Sequence, residues 1–231
     1  MERNFILEKI KNKLIISSQA AKNEPLYNEH AMNALIETIV MLGDIDCLRL
    51  AGARDIKNTK DKFKDKVTVI GITKPDVIPD NYKELVYITP AIKDAKTVIE
   101  AGADIIAFDS TKRNKSAKEI ADFIHLNNKL AMGDIATLED ARYAAEIGCD
   151  IISTTLSGYT KETETMPDVP DFELLENARR NFNIPVILEG KIWSKEDVEK
   201  AFKAGAHSVV IGSAVTRPHN IIKRFKEGLI K

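Results

Sequence analysis

Short blocks of consecutive apolar residues punctuate the chain, and longer stretches with apolar positions at helical spacing separate them. The blocks begin near Leu14, Cys47, Val67, Ile105, Leu130, Ile151, Val186 and Ser208. Runs this short, apolar without alternation, suit strands covered on both faces, as in parallel sheets wrapped by helices. The first three are expected over residues 14–19, 46–50 and 67–73. Helical spacing predicts helices over about 28–42, stopping at Gly43, and about 54–63; a short amphipathic segment at 4–11 precedes them all.

One joint recurs. Ala101-Gly102-Ala103-Asp104 leads into a block at 105–109, Ile147-Gly148-Cys149-Asp150 into one at 151–156, and Ala204-Gly205-Ala206-His207 into one at 208–213. Leu42-Gly43-Asp44-Ile45 is a looser copy. Each reads as a helix closed by glycine, a tight turn and a buried strand, the αβ joint of a repeating β-α unit. Eight units close a (β/α)8 TIM barrel, and 231 residues is within the size of one such α/β domain. An open doubly wound sheet also alternates, but it leaves edge strands, and these blocks are comparably apolar. The expectation is a single barrel domain over residues 1–231, with a short N-terminal helix and an insertion after strand three at about 75–89. Within that insertion Val86-Tyr87-Ile88 reads as part of a loop excursion, and a helix follows at 90–101.

Composition excludes some partners. The 34 basic and 35 acidic residues are interspersed and the net charge is -1, so no basic face is expected for nucleic acid or an anionic membrane. The apolar runs are too short to span a bilayer, and the N-terminus does not resemble a signal peptide, which favours a cytoplasmic protein. Cys47 and Cys149 are isolated and read as buried reduced thiols.

A barrel gathers the residues that follow its strands on one face, where barrel enzymes place their chemistry. Here these are Gln19, Arg49, Lys74, Asp109, Asp134, Thr154 with Ser157-Gly158-Tyr159-Thr160, Glu189 and Gly212-Ser213. Single charges directly behind apolar strands are costly unless paired, which marks Lys74, Asp134 and Glu189 as candidates for chemistry. The loops Glu189-Gly190-Lys191 and Gly212-Ser213-Ala214-Val215-Thr216-Arg217-Pro218 follow strands seven and eight, the usual phosphate site of such barrels. Backbone amides and Arg217 would hold the anion, and Pro218 suits the first position of a final helix. The chain has no dinucleotide fingerprint and no P-loop, and its four histidines lack metal-ligand spacing, so neither cofactor nor metal is expected. Trp193 reads as a packing group and the charges at 57–66 as a solvated helix face.

Taken in order, the motifs resemble the N-acetylmannosamine-6-phosphate 2-epimerases of sialic acid and amino sugar catabolism. The similarity spans nearly the whole chain and rests on Ser18-Gln19-Ala20, Gly71-Ile72-Thr73-Lys74, Tyr87-Ile88-Thr89-Pro90, Gly133-Asp134-Ile135-Ala136-Thr137, residues 154–160, Glu189-Gly190-Lys191-Ile192 and the final glycine loop. The resemblance implies a phosphorylated N-acetyl amino sugar as partner. It implies that Lys74 takes the C2 proton and Glu189 returns one, or the reverse. Arg49 and Asp134 would organise the sugar, and Gln19, Tyr159 and Thr160 would contact it. Arg217 with Gly190, Lys191, Gly212 and Ser213 would hold its phosphate. Lys191 stands where the family often has arginine, Ser18 where cysteine is common, and Gly133-Asp134-Ile135-Ala136 departs slightly from Ala-Asp-Ile-Ser.

The residue types suit that chemistry. Inverting a carbon beside a carbonyl needs a base and an acid on opposite faces of the substrate. Burial and Arg49 should lower the Lys74 pKa, and an apolar setting should raise that of Glu189. The rival readings are a Schiff-base aldolase of a phosphorylated sugar acid, which also uses a barrel lysine, and a non-catalytic sugar-phosphate-binding barrel. A metal-dependent pentose phosphate epimerase would need histidines at strand ends, and none is there. A homodimer is the expectation from barrel enzymes in general.

Overall fold

The computed structural model describes residues 2–229. Its strands are β1 (Leu14–Ser18), β2 (Cys47–Ala51), β3 (Thr68–Ile72), β4 (Ile105–Asp109), β5 (Leu130–Asp134), β6 (Ile151–Ser153), β7 (Val186–Glu189) and β8 (Ser208–Ile211). Each pairs in parallel with the next, and β8 pairs with β1 through Leu14↔Val209 to Ile16↔Ile211, so the sheet closes into the expected barrel. Around it lie α1 (Glu2–Ile10), α2 (Glu29–Met41), α3 (Ala53–Phe63), α4 (Ile92–Glu100), α5 (Ala117–Leu126), α6 (Leu138–Glu146), α7 (Phe172–Asn181), α8 (Lys195–Lys203), the short α9 (Ser213–Thr216) and α10 (Pro218–Lys226).

The strands are apolar throughout because both faces are buried. One set of side chains, including Ile15, Cys47, Ile70, Ile105, Leu130, Ile151, Ile187 and Val210, fills the barrel interior. The alternate set, including Ile16, Leu48, Val69, Ile106, Ala131, Ile152, Leu188 and Val209, packs against the helices. Side chains of successive residues point to opposite faces, so one strand supplies both layers. The segment α1 closes the bottom of the interior. Ile10 is fully buried there, Ser208 Oγ donates to its carbonyl at 2.6 Å, and His207 Nε2 lies 2.9 Å from the Leu7 carbonyl.

Two helices begin on reciprocal side-chain caps, Thr137 with Asp140 for α6 and Ser194 with Asp197 for α8. Cys47 and Cys149 are free and buried, and burial pushes both thiols up. Among the described residues no helix is long and apolar enough to cross a membrane.

The chain departs from the expected elements near the carboxyl ends of β6 and β8. The block expected at 151–156 is a strand only to Ser153, then one 3-10 turn, Thr154–Leu156. There the Thr154 hydroxyl accepts from the Glu189 amide and donates to the Glu189 carbonyl, both at 3.0 Å, in place of ladder bonds. The block expected to reach residue 213 stops at Ile211, since Gly212 already caps α9. Between β3 and β4 the ladder holds only Ile70↔Ile105 and Gly71↔Ile106. Above it the chain makes an excursion whose one regular piece is the 3-10 turn Tyr82–Glu84, after which Ile88 drops, fully buried, into the interior cluster.

Candidate active site

The strand phase that fills the barrel interior with apolar residues also delivers the site. In β2 the inward positions run Cys47, Arg49, Ala51; in β5 they run Leu130, Met132, Asp134; in β7 they run Ile187, Glu189. Continuing the phase of Ile70 and Ile72 past the end of β3 gives Lys74, and continuing that of Ile15 gives Ser17 within β1 and Gln19 just past it. Apolar side chains occupy the lower layers and polar ones the top, so the charges meet at the carboxyl-terminal mouth.

At the centre is Arg49, 1% exposed. Its Nη1 and Nη2 donate to Asp134 Oδ1 and Oδ2 at 3.0 and 2.6 Å, a two-pronged pair, and Nη1 also donates to Glu189 Oε2 at 2.6 Å. Burial opposes the guanidinium charge, but Asp134 and Glu189 outweigh it and raise the Arg49 pKa. One cation therefore serves two carboxylates, a planar fork reaching both in a way an ammonium could not. Thr155 completes the cluster. Its hydroxyl lies 2.7 Å from Asp134 Oδ1, 2.9 Å from Ser153 Oγ and 3.1 Å from Glu189 Oε2. Glu189 Oε2 is thus crowded with donors, while Oε1 has no hydrogen-bond partner among the described residues. Burial raises the Glu189 pKa, Arg49 opposes the rise, Asp134 adds to it, and the net direction is upward.

Above this cluster opens a cavity of about 380 Å³. Lys74 and Glu189 both line it. They come from β3 and β7, which are four strands apart around an eight-stranded barrel, so they stand on opposite sides of the mouth. Lys74 has no hydrogen-bond partner among the described residues, and its side chain is exposed along the cavity wall. Desolvation beside that wall, with the Arg49 charge next in weight, lowers its pKa to about 8.

The other expected site residues divide. Gln19, Tyr159, Gly190, Lys191, Gly212, Ser213 and Arg217 line the cavity. Arg49 and Asp134 do not; they lie beneath it and act on Glu189 from below. Thr160 is turned away, buried in its own loop with its hydroxyl 2.9 Å from that of Thr163. The Lys191 side chain does not reach toward Gly212 and Ser213; its Nζ donates to the Pro167 carbonyl at 2.9 Å and sits 5.7 Å from the Tyr159 ring centre. Gly190 and Lys191 both have positive φ, 109° and 58°, so the chain reverses sharply after Glu189, a turn suited to glycine. Arg217 is paired with Glu24 of the loop after β1.

Several lining residues lie outside the expected set. The sequence pattern points to Thr154 rather than its neighbour Thr155, although counting by twos from Ile151 selects Ser153 and Thr155. Trp193, expected in packing, lines the cavity under the guanidinium of Arg224, 4.7 Å from its ring centre, and Asn220 of α10 joins the wall beside Arg217. Among the described residues no group of His, Cys, Asp or Glu is arranged to hold a metal ion.

Comparison with known proteins adds to this geometry. Residues 32–231 match the family described as "putative N-acetylmannosamine-6-phosphate epimerase". A relative from Clostridioides difficile, named "putative N-acetylmannosamine-6-phosphate 2-epimerase", is 38% identical over 97% of this chain and 99% of its own. One of the same description from Caldanaerobacter subterraneus is 40% identical over 95% of this chain and 92% of its own. The solved structure of the N-acetylmannosamine-6-phosphate 2-epimerase from Clostridium perfringens superimposes with a TM-score of 0.88 at 37% identity, covering 97% of this chain and 96% of that one.

Proposed function

The chain belongs to the N-acetylmannosamine-6-phosphate epimerase family, and from that premise we propose that Lys74 and Glu189 invert C2 of the sugar phosphate by exchanging protons on its two faces. The enzyme interconverts N-acetylmannosamine 6-phosphate and N-acetylglucosamine 6-phosphate. The aldolase and the non-catalytic barrel are not favoured, since the relatives carry epimerase names and the similar solved structure is that of a 2-epimerase. The observation that carries the residue assignment is that an amine and a carboxyl face one cavity from strands half a barrel apart. A substrate lying between them offers one face of C2 to each, as inversion requires.

The protonation states follow from the surroundings. A lysine with a pKa of about 8 is a usable base near neutral pH, and a glutamate pushed up by burial can carry a proton. With Lys74 neutral and Glu189 protonated, Lys74 removes the C2 proton of the open-chain aldehyde and Glu189 delivers one to the opposite face through its unencumbered Oε1. The turnover leaves Lys74 charged and Glu189 ionised. That is the state that runs the reverse reaction, with Glu189 as base and Lys74 as acid. Both states carry the same net charge, so returning from one to the other moves a proton between the two groups and leaves the charge beside Arg49 unchanged. Negative charge that develops on the substrate as the proton leaves is met by the newly formed Lys74 ammonium.

Arg217, Ser213 and Asn220 on one wall, with the Gly190–Lys191 turn, form the reading of the phosphate end. Backbone rather than the Lys191 ammonium serves there, because that ammonium is engaged by Pro167. To test the assignment, Lys74→Met and Glu189→Gln are each assayed for epimerisation with a coupled reading of N-acetylglucosamine 6-phosphate. Each should lose on the order of 10²- to 10⁴-fold in kcat while keeping the circular dichroism of the parent. Near-normal turnover in either variant removes that residue from the proton transfer.

A further inference from the structure

The segment Tyr87-Ile88-Thr89-Pro90 stands out in the sequence without a chemical role. In the structure it fills the gap above the short β3–β4 ladder. The Asp109 amide at the end of β4 donates to the Ile88 carbonyl at 3.0 Å. On the other side the Thr89 amide donates to the Thr73 carbonyl at 3.1 Å, and the Thr73 amide donates back to Thr89 Oγ1 at 3.1 Å. The segment therefore replaces the missing strand pairing, and its partner on the β3 side is the residue immediately before Lys74.

Thr89 holds this position against its own preference. It is fully buried with φ +44°, a conformation that β-branched residues rarely adopt. Such backbone persists where the surroundings over-determine it, and it concentrates at functional sites. Glycine or asparagine would accept that φ at less cost. Glycine, however, has no oxygen to accept from the Thr73 amide. The Thr73 hydroxyl donates in turn to Asp94 Oδ1 in the first turn of α4 at 3.2 Å, so Thr73 is fixed through backbone and side chain. The chain beyond Lys74 is held at the surface, to exposed Lys22: the Lys22 amide donates to the Asp76 carbonyl at 2.9 Å and its ammonium pairs with the Asp76 carboxylate at 2.6 Å. The buried anchor lies upstream of the lysine.

We infer that Thr89 is a positioning residue for the reaction: its hydroxyl and its strained backbone lock Thr73, so that Lys74 enters the cavity facing Glu189. The inference rests on the reading that Lys74 exchanges the C2 proton. It also gives the excursion after β3 a task, since the excursion returns the chain to the end of the strand that carries the base.

The experiment measures Lys74 both through catalysis and directly. Competitive acetylation with acetic anhydride across a pH series, read by mass spectrometry at Lys74, reports its titration without reference to turnover. In the parent it should titrate near about 8. In Thr89→Ala, with Lys74 no longer held beside the cavity wall and the Arg49 charge, titration should move toward the ordinary lysine value of about 10.4. In the same variant kcat should fall on the order of 10²-fold, the scale of a displaced catalytic group, with KM little changed. Thr89→Ser keeps the hydroxyl and should restore both kcat and the parental titration. Should Thr89→Ala not fold, Thr89→Gly removes the same hydroxyl while relieving the strain and should give the same shift. Unchanged Lys74 titration in the alanine or glycine variant overturns the inference, as does equal impairment in Thr89→Ser. Lys74→Ala is run beside them. If it turns over normally, the proton-transfer reading fails on its own, while the labelling still reports whether Thr89 places the amine.

Discussion

Replacing Arg49 with methionine keeps most of the side-chain volume and removes the one cation shared by two buried carboxylates. Asp134 is fully buried and the Glu189 side chain is 12% exposed, so neither gains much water in exchange. Removing one partner of a buried ion pair costs about 3–5 kcal/mol, because a charge is left without compensation. In a domain of 231 residues each kcal/mol moves the melting temperature by about 2–4 °C, so a fall of roughly 6–20 °C is expected. The loss should also depend on pH. Without Arg49 the folded-state pKa of Glu189, already raised by burial, rises further above its unfolded value. An acid whose folded pKa is raised binds its proton more tightly in the folded state. The deficit is therefore fully present above the raised pKa and shrinks as pH falls through it. Scanning calorimetry of parent and variant at about pH 5 and about pH 8 should show the larger gap at the higher pH. A fall below about 2 °C, or the same gap at both pH values, would refute the picture of one guanidinium holding two carboxylates.

Further outcomes rest on the same cluster. The pH profile of kcat/KM should be a bell: below the raised pKa of Glu189 both groups are protonated and no base remains, and above about 8 Lys74 is neutral beside an ionised Glu189 and no acid remains. A rate that keeps climbing to about pH 10 would rule out a shared single proton. Thr155→Val removes the hydroxyl that touches Asp134 and Glu189 at nearly constant volume, and hydrogen bonds to charged groups are worth about 1.5–3 kcal/mol. Turnover should drop on the order of 10- to 100-fold with the fold intact; a drop confined to KM would show that Thr155 contacts substrate without steadying the carboxylates.

The barrel is legible because its two rules leave marks in sequence: glycine-closed joints before strands, and strands apolar on both faces. The same phase identifies Lys74, Asp134 and Glu189, since an inward charge after an inward isoleucine, methionine or leucine-bearing strand has nowhere to go but the mouth. What is not legible depends on loops. Thr155 escapes the pattern because β6 ends early and coils into a 3-10 turn that swings it over Glu189. Thr160 and Trp193 exchange their expected places, one buried in a loop and the other at the cavity wall, because hydrophobicity does not say how a turn is folded. Lys191 shares a motif with the phosphate loop, yet its long side chain follows the nearest carbonyl, that of Pro167. Arg49 and Asp134 are expected against the sugar; their depth in the strands, below Lys74 in the barrel wall, sets them under it instead.

The most direct measurement is the fate of the C2 proton. N-acetylmannosamine 6-phosphate is incubated with the enzyme in deuterated water and followed by proton NMR from the first turnovers. A carboxyl on the far face that exchanges with solvent should place deuterium at C2 of every N-acetylglucosamine 6-phosphate formed, while unreacted substrate keeps its C2 proton. Product that carries the original proton at C2 would contradict proton removal by one group and delivery by another across the barrel mouth.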